Sequence, residues 1–215
     1  MGISHKKSDR SAANNLLTRR ARVSTMTTHH LSTPLTISDV TRLHAGDLVY
    51  LSGTVMTVRD RACNRILEAS EASEIPFDLE NAVIYHCGPI VRGVDGSWEV
   101  IAAGPTTSSR LNSQTTDILD RFGVHAIIGK GGMSIADAMR GRCAYLAYTG
   151  GCAAVAADHI SSVRGVHWID LGMAEAVWVL EMRDFGPLIV GIDSHGRNLF
   201  DEVQRRAETR LSAAV

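Results

Sequence analysis

Cysteine is sparse in this sequence, and the few cysteines stand apart. The 215 residues hold four, Cys63, Cys87, Cys143 and Cys152. None forms a C-x-x-C pair, and no Cys/His group has zinc spacing. The chain alone therefore predicts neither a zinc site nor an iron–sulfur cluster. A reduced, cytoplasmic setting is expected. Net charge is also lacking. The 22 Lys and Arg against 23 Asp and Glu leave −1, so nothing calls for nucleic acid or an anionic membrane as partner. No apolar run approaches the roughly 20 residues of a membrane span. Residues 1–33 have no apolar h-region, which argues against a secretory signal. There is no G-x-S-x-G elbow, and the histidines have no mutual spacing logic, so a hydrolase triad is not indicated. A Walker loop fails because Val124 stands at its first glycine position and Gly131 follows the lysine. A dinucleotide fingerprint from Gly129 fails at Ser134.

What is present is ordinary globular composition, 45% hydrophobic and 21% charged, enough for one large domain or two small ones. Such a core needs no disulfide staples. Residues 1–33 are polar, Arg-rich and carry a single acid, Asp9. They predict a disordered tail or a start placed too early, with Met26 as the true start. The structured domain is expected to run from Pro34 to the end, residues 34–215.

Within it the pattern predicts strands at 47–53 and 54–58, broken at Gly53, then a helix over 61–72. Strands follow at 82–86 and 98–102, the latter returning from an Asp95-Gly96 turn. Beyond residue 110 helices and strands alternate. Helices are expected at 114–121, 134–140, 152–160 and 197–212. Strands are expected at 124–128, 144–148, 163–169, 176–182 and 188–192. An early β-rich half and a later β/α half predict one α/β domain, with sheet packed on sheet and helices outside.

The most informative stretch is Gly104-Pro105-Thr106-Thr107-Ser108-Ser109-Arg110. Gly-Pro stops the preceding strand, and a Ser or Thr can then cap a helix. Free N–H groups, hydroxyls and an arginine together suit an anion, most naturally a carboxylate. An ordinary capped turn is the competing reading. A second cationic loop, Gly129-Lys130-Gly131-Gly132, ends another predicted strand, where α/β ligand sites gather. Arg59 and Asp60 follow the strand at 54–58 in the same way. If these strands are neighbours, Arg59, Arg110 and Lys130 converge beside a hydroxyl cluster. Such a site matches a small dicarboxylate or hydroxy acid, with arginine for bidentate grip.

The runs GPTTSSR, GKGGM, TGGCAAVAA and VHWIDLGMAEAVWVLEMRDFGPLIVGIDSHGRN make the sequence recognisable. It resembles the beta subunit of the iron–sulfur hydro-lyases, the class I fumarase and L(+)-tartrate dehydratase family, over residues 34–203. GKGGM, VHW and FGPL are closer to tartrate dehydratase beta subunits. The resemblance implies a swivelling β/β/α domain like the C-terminal domain of class I fumarases. It implies a hydro-lyase split over two polypeptides, working as a hetero-oligomer. The partner alpha subunit would carry a [4Fe–4S] cluster. The substrate would be a 2-hydroxy dicarboxylate, L(+)-tartrate going to oxaloacetate, with fumarate/malate as the alternative. By family pattern Arg59, Arg110 and Lys130 would grip the carboxylates, and Thr106 would take the Cβ proton. Cys63 stands where the family pattern R-D-x-x-H has histidine, four residues after Arg59. That departure leaves a non-catalytic paralogue with an anion pocket as a further reading.

Overall fold

The computed structural model describes residues 26–213. The expectation of a tail or a late start over 1–25 lies outside the described residues. The sheet begins earlier than Pro34. Strand β1, Thr28–Ser32, pairs in parallel with β2, Leu48–Thr57, Thr28 standing opposite Leu48. A polar five-residue strand with one buried side chain, Leu31, carries too little hydrophobic pattern to be seen in advance. Helix α1, Ile37–Thr41, follows. It opens on a capping box in which Thr36 and Asp39 exchange side-chain bonds with each other's backbone N–H.

β2 is one strand of ten residues, not two. Gly53 has φ +100°, and the register against its antiparallel neighbour shifts there. The glycine thus makes a bulge inside a continuous ladder. Helix α2, Asp60–Glu68, and strand β3, Val83–Tyr85, come next. Strands β4, Ile90–Val94, and β5, Ser97–Ala102, form a separate hairpin. Helix α3, Asn112–Arg121, leads to β6, Ala126–Gly129. Short helix α4, Ala136–Met139, precedes β7, Ala144–Ala147. Helix α5, Ala153–Asp158, leads into β8, Ile160–His167. The expected strands at 176–182 and 188–192 are a single strand, β9, Val177–Ile192, which passes through Asp184 at φ +48°. Helix α6, Leu199–Ser212, closes the described chain.

The main sheet has the order β1-β2-β3-β6-β7-β9-β8, and β9 also pairs with β2. The sheet therefore closes on itself through β2, β3, β6, β7 and β9. β9 can do this because its sixteen residues serve different neighbours at its two ends. Its first half lies against β8, its second half meets β7, and β2 runs beside both. The domain is mixed α/β, with one curled seven-stranded sheet and the separate two-stranded hairpin.

Both faces of β3, β6 and β7 are buried, which explains their near-continuous apolar runs. Val83, Tyr85, Ala126, Ile128, Ala144 and Leu146 point into the closed ring, where Trp178 and Phe185 also pack. Their alternates Ile84, Ile127 and Tyr145 point outward, onto Ala62, Cys63 and Ile66 of α2 and Ile118 and Leu119 of α3. Two cores thus share each strand at period two.

Candidate active site at the carboxyl ends of four parallel strands

β2, β3, β6 and β7 run parallel to one another in that order. Their carboxyl ends open onto one edge, where ligands of open α/β sheets gather. Arg59 follows β2, His86 follows β3, Lys130 follows β6 and Thr149 follows β7. The hydroxyl run crosses this edge. Cys87 bridges Pro105 and Thr107 bridges Lys130. Thr106 N–H donates to His86 O at 2.7 Å, and Lys130 N–H donates to Thr106 O at 3.2 Å. Ser108 N–H donates to Lys130 O at 3.0 Å. Thr106 is therefore stitched between the ends of β3 and β6. Its side chain stays half-buried, with Thr107 and Arg110 exposed beside it.

This corrects the local reading of the run. The residues Ser108–Leu111 form one 3-10 turn before α3, and neither it nor α3 has a side-chain cap. The Ser108 N–H is spent on Lys130, so that donor is not open to an anion.

The two arginines are joined by an acid. Arg110 Nη2 donates to Asp60 Oδ2 at 2.8 Å, and Arg59 Nε lies 3.8 Å from the same oxygen. Arg59 Nε is also 3.4 Å from Glu175 Oε1, yet it is buried with no hydrogen bond. The other oxygen of Glu175 accepts from Arg61 N–H at 2.8 Å. Glu175 thus supplies the N-terminal acceptor of α2 that Arg59, as N-cap, lacks. The Arg59 side chain runs over Gly88, where a Cβ would collide with its guanidinium and lie 2.7 Å from Ala174 O. Lys130 has no ion-pair partner among the described residues, and its stem lies over Gly150, where a Cβ would sit 2.9 Å from Cδ.

The structure thus brings Arg59 to Arg110 through Asp60, and Thr106 to Lys130 through the backbone. Cys63 is one turn along α2 from Arg59, its N–H donating to Arg59 O at 2.7 Å. Its side chain turns inward to the outer core, 1% exposed. Burial, with smaller contributions from the charges of Asp60 and Glu175, pushes its thiol up to about 12. It stays protonated near neutral pH.

Sequence reasoning passed over His86 and Ser108. Both are buried, and His86 Nδ1 lies 3.0 Å from Ser108 Oγ. Burial brings the imidazole down to about 3, Asp60 working against the shift and Arg110 with it. The ring is therefore neutral. A signal existed: His86 ends a predicted strand, as Arg59 and Lys130 do. Among the described residues no group of three His, Cys, Asp or Glu could hold a metal ion. These residues do not fit a cluster.

A family model described as the fumarase C-terminus matches residues 2–203. This chain belongs to that family. Relatives carry two kinds of name. A Methanocaldococcus jannaschii chain named as an L(+)-tartrate dehydratase subunit beta is 42% identical over 186 residues, 84% of this chain and 95% of the relative. The L(+)-tartrate dehydratase subunit beta of Escherichia coli K12 is 39% identical over 188 residues, 86% of this chain and 92% of its own. A Geobacillus stearothermophilus chain named as a class I fumarate hydratase is 38% identical over 186 residues, 85% of this chain but 35% of that longer relative.

Proposed function

We propose that this chain is the beta subunit of a hydro-lyase that dehydrates a 2-hydroxy dicarboxylate, L(+)-tartrate to oxaloacetate. The observation that carries the reading is the stitching of Thr106 between His86 and Lys130, beside the Arg59–Asp60–Arg110 group. The names of the beta-subunit relatives, which match this chain nearly end to end, support the substrate. Class I fumarate hydratase is the second reading, favoured by the Geobacillus relative.

In this reading Arg59, Arg110 and Lys130 bind the two carboxylates, the arginines in bidentate fashion. Thr106 Oγ1, as alkoxide, takes the proton from the carbon next to the one that loses hydroxide. The C–H bonding pair becomes the new double bond as the C–O pair leaves with the hydroxide, which takes up a proton and departs as water, and the enol product tautomerises to oxaloacetate. A threonine hydroxyl is a poor base unaided, so the cations around it must stabilise its alkoxide. Cys63 at the family's histidine position packs under the site and moves no proton, in keeping with its burial.

The curled sheet with outer helices fits a swivelling β/β/α domain. The partner in this reading is an alpha subunit carrying the [4Fe–4S] cluster, a Lewis acid for the substrate's hydroxyl. The Geobacillus relative, nearly three times the matched length, supports a second unit joined to this one. We assign the protein to the cytoplasm, in keeping with four free cysteines. No helix among the described residues is long and apolar enough to cross a membrane.

The test is co-expression with the alpha partner, anaerobic cluster reconstitution, and assay of L-tartrate, malate and fumarate. Thr106→Ala is expected to lower kcat at least about a hundredfold with KM little changed. Full kcat in that variant would remove Thr106 from the chemistry. No turnover of any hydroxy dicarboxylate by the wild type would remove the enzyme reading.

A further inference from the structure

Below Thr106 lie buried polar side chains that the proposed chemistry does not use. Ser108 and Tyr145 are fully buried, and His86 is 1% exposed. Their polar atoms meet in a space that exists because residue 129 is glycine. A Cβ there would collide with Ser108 Oγ and stand 3.2 Å from Tyr145 Oη. Tyr145 OH donates to Gly131 O at 2.8 Å. Ser108 Oγ lies 3.0 Å from His86 Nδ1, a hydrogen bond between two side chains buried from water.

That bond closes a ring around Thr106. The Thr106 N–H is held by His86 O, and two residues on, Ser108 returns to the same histidine through its side chain. On the other side, Thr106 O and Ser108 N–H are both held by Lys130. Turning Thr106 away from Lys130 requires breaking a buried bond at one end or the other. A half-satisfied pair would leave polar groups unpaired in the core. Ser108 is fully buried, out of reach of a substrate.

We propose that His86 and Ser108 are positioning residues, a buried hydrogen-bonded pair that holds Thr106 in place against Lys130. The inference rests on the reading of Thr106 as the base, but the pair has a readout of its own. Ser108→Ala removes one partner. His86→Leu removes the other, and His86→Asn keeps a polar partner near the Nδ1 position. Backbone amide exchange of Thr106, Ser108 and Lys130 is measured by NMR on the full chain without its partner. Steady-state kinetics are measured on the reconstituted two-subunit enzyme.

Ser108→Ala and His86→Leu are expected to speed exchange of these three amides at least about tenfold, with amides of β7 unchanged. The same variants are expected to lower kcat about tenfold or more at nearly constant KM. His86→Asn is expected to stay within about threefold of wild type in both. His86→Leu serves alone if Ser108→Ala fails to fold. Unchanged exchange at Thr106 in folded Ser108→Ala or His86→Leu overturns the proposal, as does faster exchange with unchanged kcat. If the wild-type complex turns over no hydroxy dicarboxylate, the functional reading falls. The exchange data then decide by themselves whether the pair holds Thr106.

Discussion

Acid should weaken this fold earlier than its carboxylates alone would allow, and His86 is the cause. The folded chain holds the imidazole neutral, with its pKa brought down to about 3, chiefly by burial. In the unfolded chain the group protonates near the ordinary value of about 6.5. The lowered value means the unfolded state binds the extra proton between these limits. The stabilisation is fully present above about 6.5 and is lost progressively as pH falls toward about 3. By about pH 5 the unfolded state has gained roughly 2 kcal/mol from this one group. That is a large share of a typical stability of about 5–15 kcal/mol. Asp39, Asp47 and Glu202 are also shifted, downward. Their stabilisation is retained at about pH 5 and is lost only as pH falls through their ordinary range and below. The assay is urea unfolding at about pH 7.5 and about pH 5, for wild type and His86→Asn. The carboxylates and the other histidines are common to both proteins, so they cancel in the difference. The variant is expected to lose roughly 2 kcal/mol less than wild type over that interval. Equal losses would refute the reasoning, because His86 would then titrate alike in both states.

Gly88→Ala should disturb Arg59 before it disturbs the fold, since the added Cβ collides with the guanidinium and lies 2.7 Å from Ala174 O. KM for the dicarboxylate is expected to rise about tenfold or more as a carboxylate grip is lost; an unchanged KM would mean that Arg59 does not bind substrate. Cys63→His puts a larger polar ring into the outer core at a site 1% exposed. A loss of about 1–3 kcal/mol is expected in urea unfolding, so restoring the family residue does not by itself raise activity; a faster enzyme with unchanged stability would contradict this. Native-state alkylation, followed by peptide mapping, should label Cys152 first. Cys63, Cys87 and Cys143 are buried with thiols held protonated, whereas Cys152 is part-exposed.

Much of the frame was legible because the strands are short and apolar on both faces. Ala126–Gly129 and Ala144–Ala147 read directly as buried strands, with Arg59 and Lys130 just beyond strand ends. Closure of the sheet was not legible. It depends on β2 meeting β9 across more than a hundred residues, and no local pattern records that pairing. The sequence pattern breaks at Gly53 and between residues 182 and 188. Here both are irregularities inside long ladders, where a strand must curl to serve two neighbours. The hydroxyl run was located but its geometry was misread. Pairing with His86 and Lys130 outcompeted capping, since it satisfies backbone groups at two strand ends at once. The His86–Ser108 contact joins residues 22 apart with no periodicity between them, so nothing in the spacing announced it.

The site combines two kinds of support with different stiffness. Above the edge, Asp60 and Arg110 are 41% and 43% exposed. An ion pair so open to water contributes only about 0–1 kcal/mol. A substrate carboxylate can therefore take Arg110 from Asp60 at little cost, and the arginine side chains can adjust to the distance between two carboxylates. Below the edge, Thr106 is fixed by backbone bonds on both sides and by the buried His86–Ser108 bond, which cannot lose one partner cheaply. The division suits a dehydration. Carboxylates tolerate some slack in how they are held, whereas proton abstraction does not tolerate an ångström of error at the base. Tighter arginines would gain binding without rate, but a looser Ser108 would lose rate without binding. A kcat and KM separation between Arg110 and Ser108 variants is therefore the expected signature of this architecture.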